Sequence, residues 1–63
     1  MKKKIAIIVF TFNSEKIIKR TILAAKKISK DVVICDSFSK DNTIKIARSL
    51  HCKIVYRDII PTY

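Results

Sequence analysis

At 63 residues the chain is one unit at most, below the length at which a single core comfortably supports itself, so catalysis by this chain alone is not expected. Hydrophobic residues make up 49% of it, which argues against intrinsic disorder, while the complete absence of glycine excludes a glycine-rich dinucleotide turn and a Walker P-loop. Fourteen Lys and Arg against five acids leave a net charge of +9, a balance suited to nucleic acid, an anionic membrane surface or phosphate-bearing substrates.

The lysine-led start Met1-Lys2-Lys3-Lys4 runs into Ile5-Ala6-Ile7-Ile8-Val9-Phe10, which is too short and lacks a small-residue cleavage site for a signal peptide. An unbroken run rich in β-branched side chains is what a parallel strand covered on both faces requires, so β1 is expected over 4–10. Thr11-Phe12-Asn13 makes the turn. Asn13 or Ser14 is placed to cap the following helix, with Glu15 near its N-terminus and Lys26, Lys27 and Lys30 near its end, and α1 is expected over 14–29. Ile18, Ile22, Ala25 and Ile28, joined by Ile17, Thr21 and Ala24, form its apolar face.

Val32-Val33-Ile34-Cys35 and the following Asp36 form β2, expected over 32–36. Ser39 is a suitable N-cap and Asp41 a first-turn acid for α2, expected over 40–50 with Ile44, Ile46, Ala47 and Leu50 buried. Ile54-Val55-Tyr56 centres β3, expected over 53–57, and 58–63 is too short for another element. Strands alternating with helices at this spacing imply an α/β fold: a βαβαβ unit with a parallel sheet, right-handed crossovers and strand order 3-2-1. In a larger protein β1 would be central, its other edge paired by a strand this chain does not contain.

Cys35 and Cys52, with a lone His51, make neither a redox pair nor a four-ligand zinc site, and read as small core residues. No apolar run approaches the roughly 20 residues of a membrane span, so a cytoplasmic protein is expected, with peripheral membrane contact left open. Lys16, Lys19, Arg20, Lys26, Lys27, Lys45 and Arg48 fall mainly on the polar sides of the two helices, where solvation accounts for most of the charge.

The two polar turns at the carboxyl ends of β1 and β2 stand where open α/β sheets bind ligands. Read together, Ile5 to Asn13, Val32 to Ala47 with Asp36, Ser39, Asp41 and Thr43 in a D-x-x-S-x-D-x-T arrangement, and Cys52 to Arg57 resemble the N-terminus of family 2 glycosyltransferases. The look is nearest to the subgroup of lipopolysaccharide core biosynthesis. The resemblance spans nearly the whole chain, residues 1–63, but only about the first quarter of a family catalytic domain.

It implies half of a Rossmann-like GT-A domain that binds a nucleotide-sugar, with Thr11, Phe12, Asn13 and Asp36 as the nucleotide-sugar-binding residues. Asp36 would accept the N3–H of uracil, Phe12 would offer apolar contact to the nucleoside, and Ser39, Asp41 and Thr43 would stabilise the loop and helix start. The sequence departs from the family at Ser14, where Glu is frequent, and at Phe38 and His51, where Gly is common. The family's D-x-D pair for Mg²⁺ or Mn²⁺ and its acceptor-side base are missing, so no cofactor and no catalytic residue are expected in this chain. The expectation is a truncated or split-gene segment, inactive alone, with weak affinity for a uridine-type nucleotide-sugar and a need for a missing C-terminal segment. The competing reading is a small basic binding protein for anionic lipid or nucleic acid; nucleic acid is disfavoured by the lack of interleaved aromatics.

Overall fold

A computed structural model describes residues 5–58. The chain runs β1 (Ala6–Thr11), α1 (Ile18–Ile28), β2 (Asp31–Asp36), α2 (Thr43–Ser49) and β3 (Lys53–Tyr56). The strands are parallel in the order β1-β2-β3, the order expected from the pattern. Ala6 pairs with Asp31 and Thr11 with Asp36, while Val33 pairs with Lys53 and Asp36 with Tyr56, so all three strands finish at one edge. Lys4, the expected first residue of β1, and the tail 59–63 lie outside the described residues.

Period-two alternation sorts the sheet into two faces. Val32 and Ile34 are buried against Ile18, Ile22 and Ala25 of α1 and Ala47 of α2, with Ile7, Val9, Ile46, Leu50, Cys52 and Ile54 packed around them. Both helices therefore cover one face. The expectation that β1 is covered on both faces is corrected: its outward side chains Ile8 and Phe10 are 57% and 64% exposed. They border a recess with Val33, Cys35, Val55 and Arg57.

Both helices are shorter than expected at their starts. Ser14 O accepts the N–H groups of Ile17 (3.0 Å) and Ile18 (2.8 Å), a tight turn that precedes α1 proper. At its other end Ile28 is 73% exposed and Ile17 and Ala24 also face outward, so the buried stripe is the narrower Ile18, Ile22 and Ala25. α2 begins only at Thr43 because the preceding residues are held by side chains of the other loop. It ends on His51, whose φ is 60°, with His51 N–H donating to Arg48 O (3.0 Å) and Cys52 N–H to Ala47 O (3.2 Å). Those two bonds are a Schellman closure, which glycine usually makes. Cys35 is buried and Cys52 half-buried; both are free thiols, and burial pushes the Cys52 thiol up while the charge of Lys26 pulls it partly back.

Candidate functional site

The ends of β1 and β2 release two loops side by side, and several of their backbone N–H groups are satisfied across the gap by side chains of the other loop. Helix N-termini leave such donors orphaned, and Ser, Thr, Asn and Asp oxygens are the usual acceptors. Here the acceptors are exchanged. Asn13 N–H donates to Ser39 Oγ (2.8 Å), Ser14 N–H to Thr43 Oγ1 (2.7 Å) and Glu15 N–H to Asp41 Oδ2 (3.1 Å). In return Lys40 N–H donates to Asn13 Oδ1 (2.9 Å) and Asn42 N–H to Glu15 Oε1 (3.4 Å).

This exchange revises the expected local caps. Ser39 does not cap α2, and neither α1 nor α2 has a side-chain bond from its own N-cap residue. Asp41 does hold the start of α2, accepting from Thr43 N–H at 2.9 Å and from the Thr43 hydroxyl. Burial opposes the charge on Asp41, but the Thr43 hydroxyl and N–H and the Glu15 N–H outweigh it and hold the carboxyl below its ordinary value.

Asp36 is the centre of the arrangement. Its side chain is 0% exposed, on the helix-side face of the sheet. Oδ1 accepts the hydroxyls of Thr11 (2.6 Å) and Ser39 (2.6 Å), and Oδ2 accepts Ser39 N–H (2.7 Å). The backbone adds Ser37 N–H to Thr11 O (2.9 Å) and Arg57 N–H to Asp36 O (2.8 Å), which ties the ends of all three strands together. No buried side-chain polar atom among the described residues lacks a partner.

Of the four residues expected to bind a nucleotide-sugar, Phe12 and Asn13 are exposed, while Thr11 and Asp36 lie beneath and bond to each other. Phe12 and Asn13 line an open recess of about 480 Å³, with Ser14, Glu15, Lys16, Ile17 and Asp41 completing it. Sequence reasoning did not place Glu15, Lys16 and Ile17 at this recess, because it assigned them to the helix. Asn13 has φ 48° and Phe38 φ 56°; asparagine tolerates that region, whereas a phenylalanine there is unusual. The Phe38 ring stacks on Tyr56, centroids 5.9 Å apart and planes 20° from parallel.

Among the described residues no group of three or more His, Cys, Asp or Glu is gathered where it could hold a metal ion. Glu15 and Asp41, the two acids of the recess, are already committed to backbone donors, so the donor set does not fit a divalent ion.

The chain is a parallel α/β unit whose two side-chain-rich turns, with no glycine in either, stand at the carboxyl edge of the sheet, the edge at which open α/β sheets commonly bind ligands. The particular family is shown by comparison. Residues 6–59 match the profile of Glycosyl transferase family 2, and the chain belongs to that family. It is similar to an uncharacterized glycosyltransferase of Rickettsia bellii, 39% identical over 57 residues, and to one of Rickettsia typhi, 36% identical over 55 residues. A third, from Rickettsia conorii, is 33% identical over 57 residues. These alignments cover 87–90% of this chain but only 19–20% of each relative, so the chain spans about a fifth of the length of the curated relatives it matches. No solved structure matches it.

Proposed function

We propose that the chain forms the nucleoside-binding end of a family 2 glycosyltransferase that moves a sugar from a uridine-type nucleotide donor to a cell-envelope glycan acceptor, with lipopolysaccharide core as the nearest type. The observation that carries this reading is the recess at the joined ends of β1 and β2, held open by the exchange of caps between the two loops. Phe12 gives the nucleoside an apolar surface, and the Asn13 side-chain N–H₂ donates to no other described residue while its Oδ1 accepts from Lys40 N–H. Thr11 and Asp36 act as positioning residues. The Asp36 carboxylate is fully buried beneath the recess and already accepts three hydrogen bonds, so a base N–H reaches it directly only if the loop residues around it move.

The recess carries one cation, Lys16, against two carboxylates, Glu15 and Asp41. A diphosphate gains little there, so the recess suits the nucleoside rather than the phosphates. In this reading the donor diphosphate, any divalent ion and the acceptor are handled by other parts of the transferase, and this chain alone transfers no sugar. Titration of the labelled chain with uridine and with uridine diphosphate tests it. Amide shifts at residues 11–13 and 36–39, similar in size for the two ligands and lost in Phe12→Ala, are expected. Unmoved amides there at saturating ligand would refute it.

A further inference from the structure

We propose that the outward face of α1 is a docking stripe that holds the chain against an anionic phospholipid surface. Successive helical side chains step by about 100°, so Lys19, Arg20, Leu23 and Lys27 fall on the side opposite the buried Ile18, Ile22 and Ala25. With Lys16 and Ala24 they line a shallow groove of about 520 Å³, and all six are exposed. The eleven residues of α1 hold four cations and no acid. Three of the chain's five acids are turned away from this face: Glu15 and Asp41 into the loop network, Asp36 into the interior. None of the stripe's cations makes an ion pair or side-chain hydrogen bond with another described residue.

A solvated helix face commonly mixes acids with bases, whereas this one carries cations alone. Here Leu23, 44% exposed, sits in the middle of the cations. That pairing of a central apolar side chain with flanking long cationic ones is how a helix lies in a bilayer interface: the leucine enters the acyl boundary while the Lys and Arg stems bury and their charges reach the headgroups. The stripe contains no aromatic residue to stack a base, which favours lipid over single-stranded nucleic acid. Charge complementarity selects the anionic headgroup. Lys16 belongs to both this groove and the nucleoside recess, so docking sets the recess beside the lipid surface. The docking does not depend on the glycosyl-transfer reading, since lipid alone is its ligand.

The test is partition of the full chain onto phosphatidylcholine vesicles with and without phosphatidylglycerol, at low and high salt. Each juxtamembrane cation contributes about a fivefold factor, so Arg20→Gln/Lys27→Gln is expected to lower partition about 30-fold. The charge-matched pair Lys45→Gln/Lys53→Gln, exposed and off the stripe, should change it less than about threefold. A separate Leu23→Trp variant reports the contact directly, with a blue-shifted emission on anionic vesicles that is absent on neutral ones. Equal losses for the two double variants, no blue shift at Leu23→Trp, or displacement of the chain from vesicles by single-stranded RNA at equal phosphate concentration would each overturn the proposal.

Discussion

Replacing Asp36 by Asn keeps the side chain's shape and removes its charge, which makes it the most direct test of how the two loops are joined. The carboxylate accepts three hydrogen bonds of 2.6–2.7 Å in a site with no solvent access. An asparagine can still accept both hydroxyls at its single oxygen. Its N–H₂, however, replaces the oxygen that faces Ser39 N–H, so donor meets donor. A charge-assisted bond is lost at about 1.5–3 kcal/mol, and a buried donor is left unpaired at a further ~1–3 kcal/mol, less whatever local shift relieves. A net cost of about 3 kcal/mol follows, comparable to the whole stability of roughly 3–5 kcal/mol that a core of this size supplies.

Urea unfolding followed by circular dichroism, in buffer containing an osmolyte to secure a folded baseline, measures the effect. With a slope of about 1 kcal/mol per molar, the Asp36→Asn midpoint should fall by about 3 M, whereas Asp58→Asn, exposed and outside the network, should leave it unchanged. Ser39→Ala should fall between the two, since it removes one acceptor of Asn13 N–H and one donor to Asp36 but leaves the Ser39 N–H in place. Coincident midpoints for Asp36→Asn and the unaltered chain would refute the reasoning, because they would mean that the carboxylate is dispensable to the joint.

Three further outcomes are expected. Asp41 has a folded value below its ordinary 3.8, so its stabilisation is present above that pH and lost as pH falls through the folded value; Asp41→Asn should flatten the acid limb of the urea midpoint between pH 5 and 2, and an unchanged limb would contradict the cause assigned. His51→Gly should stabilise by about 1 kcal/mol by relieving a positive φ, while Phe38→Gly, which relieves the same strain but loses the stack on Tyr56, should change stability by less than about 1 kcal/mol; the reverse order in thermal midpoints would refute this. Ile8→Lys should reduce concentration-dependent self-association with the fold intact, whereas Ile7→Lys, half-buried against the core, should unfold the chain, and sedimentation showing an unaltered chain that stays monomeric at all concentrations would count against the first half.

Strand order and element sequence were legible because an apolar run of parallel-strand length and a 3.6-residue apolar repeat are separate periodicities, and each appears cleanly in this chain. Helix starts were not. Asn13, Ser14 and Ser39 are good caps by residue type, and residue type is what local reasoning sees. The Asn13 side chain instead accepts from Lys40 N–H and Ser39 Oγ from Asn13 N–H, partners 27 and 26 residues away that only the β1–β2 register brings together, while Ser14 Oγ turns back to Phe12. Asp36 shows the same limit from the other side: its position at a strand end was readable, but whether its carboxylate points at a ligand or at Thr11 and Ser39 depends on side-chain parity across paired strands. Phe38 and His51 were legible as departures, since each stands where glycine is common in the family, and the backbone takes positive φ at both.

The joint and the bare face of the sheet belong to one physical situation. Parallel sheets are stable when both faces are covered, and here the helices cover only one. Ile8 and Phe10 therefore contribute little by burial, and the chain depends more heavily on the small core beneath α1 and α2 and on polar bonds that a larger domain could spare. Those bonds are concentrated at the carboxyl edge, where Asp36 and the exchanged caps lock the two loops in the geometry of the recess. Family members about five times longer have chain in which a second layer could be built over that face. The recess needs no such layer to take its shape, because every bond that defines it runs between residues 11 and 43. Covering Ile8 and Phe10 should thus raise the stability of the unit while leaving the recess as it is.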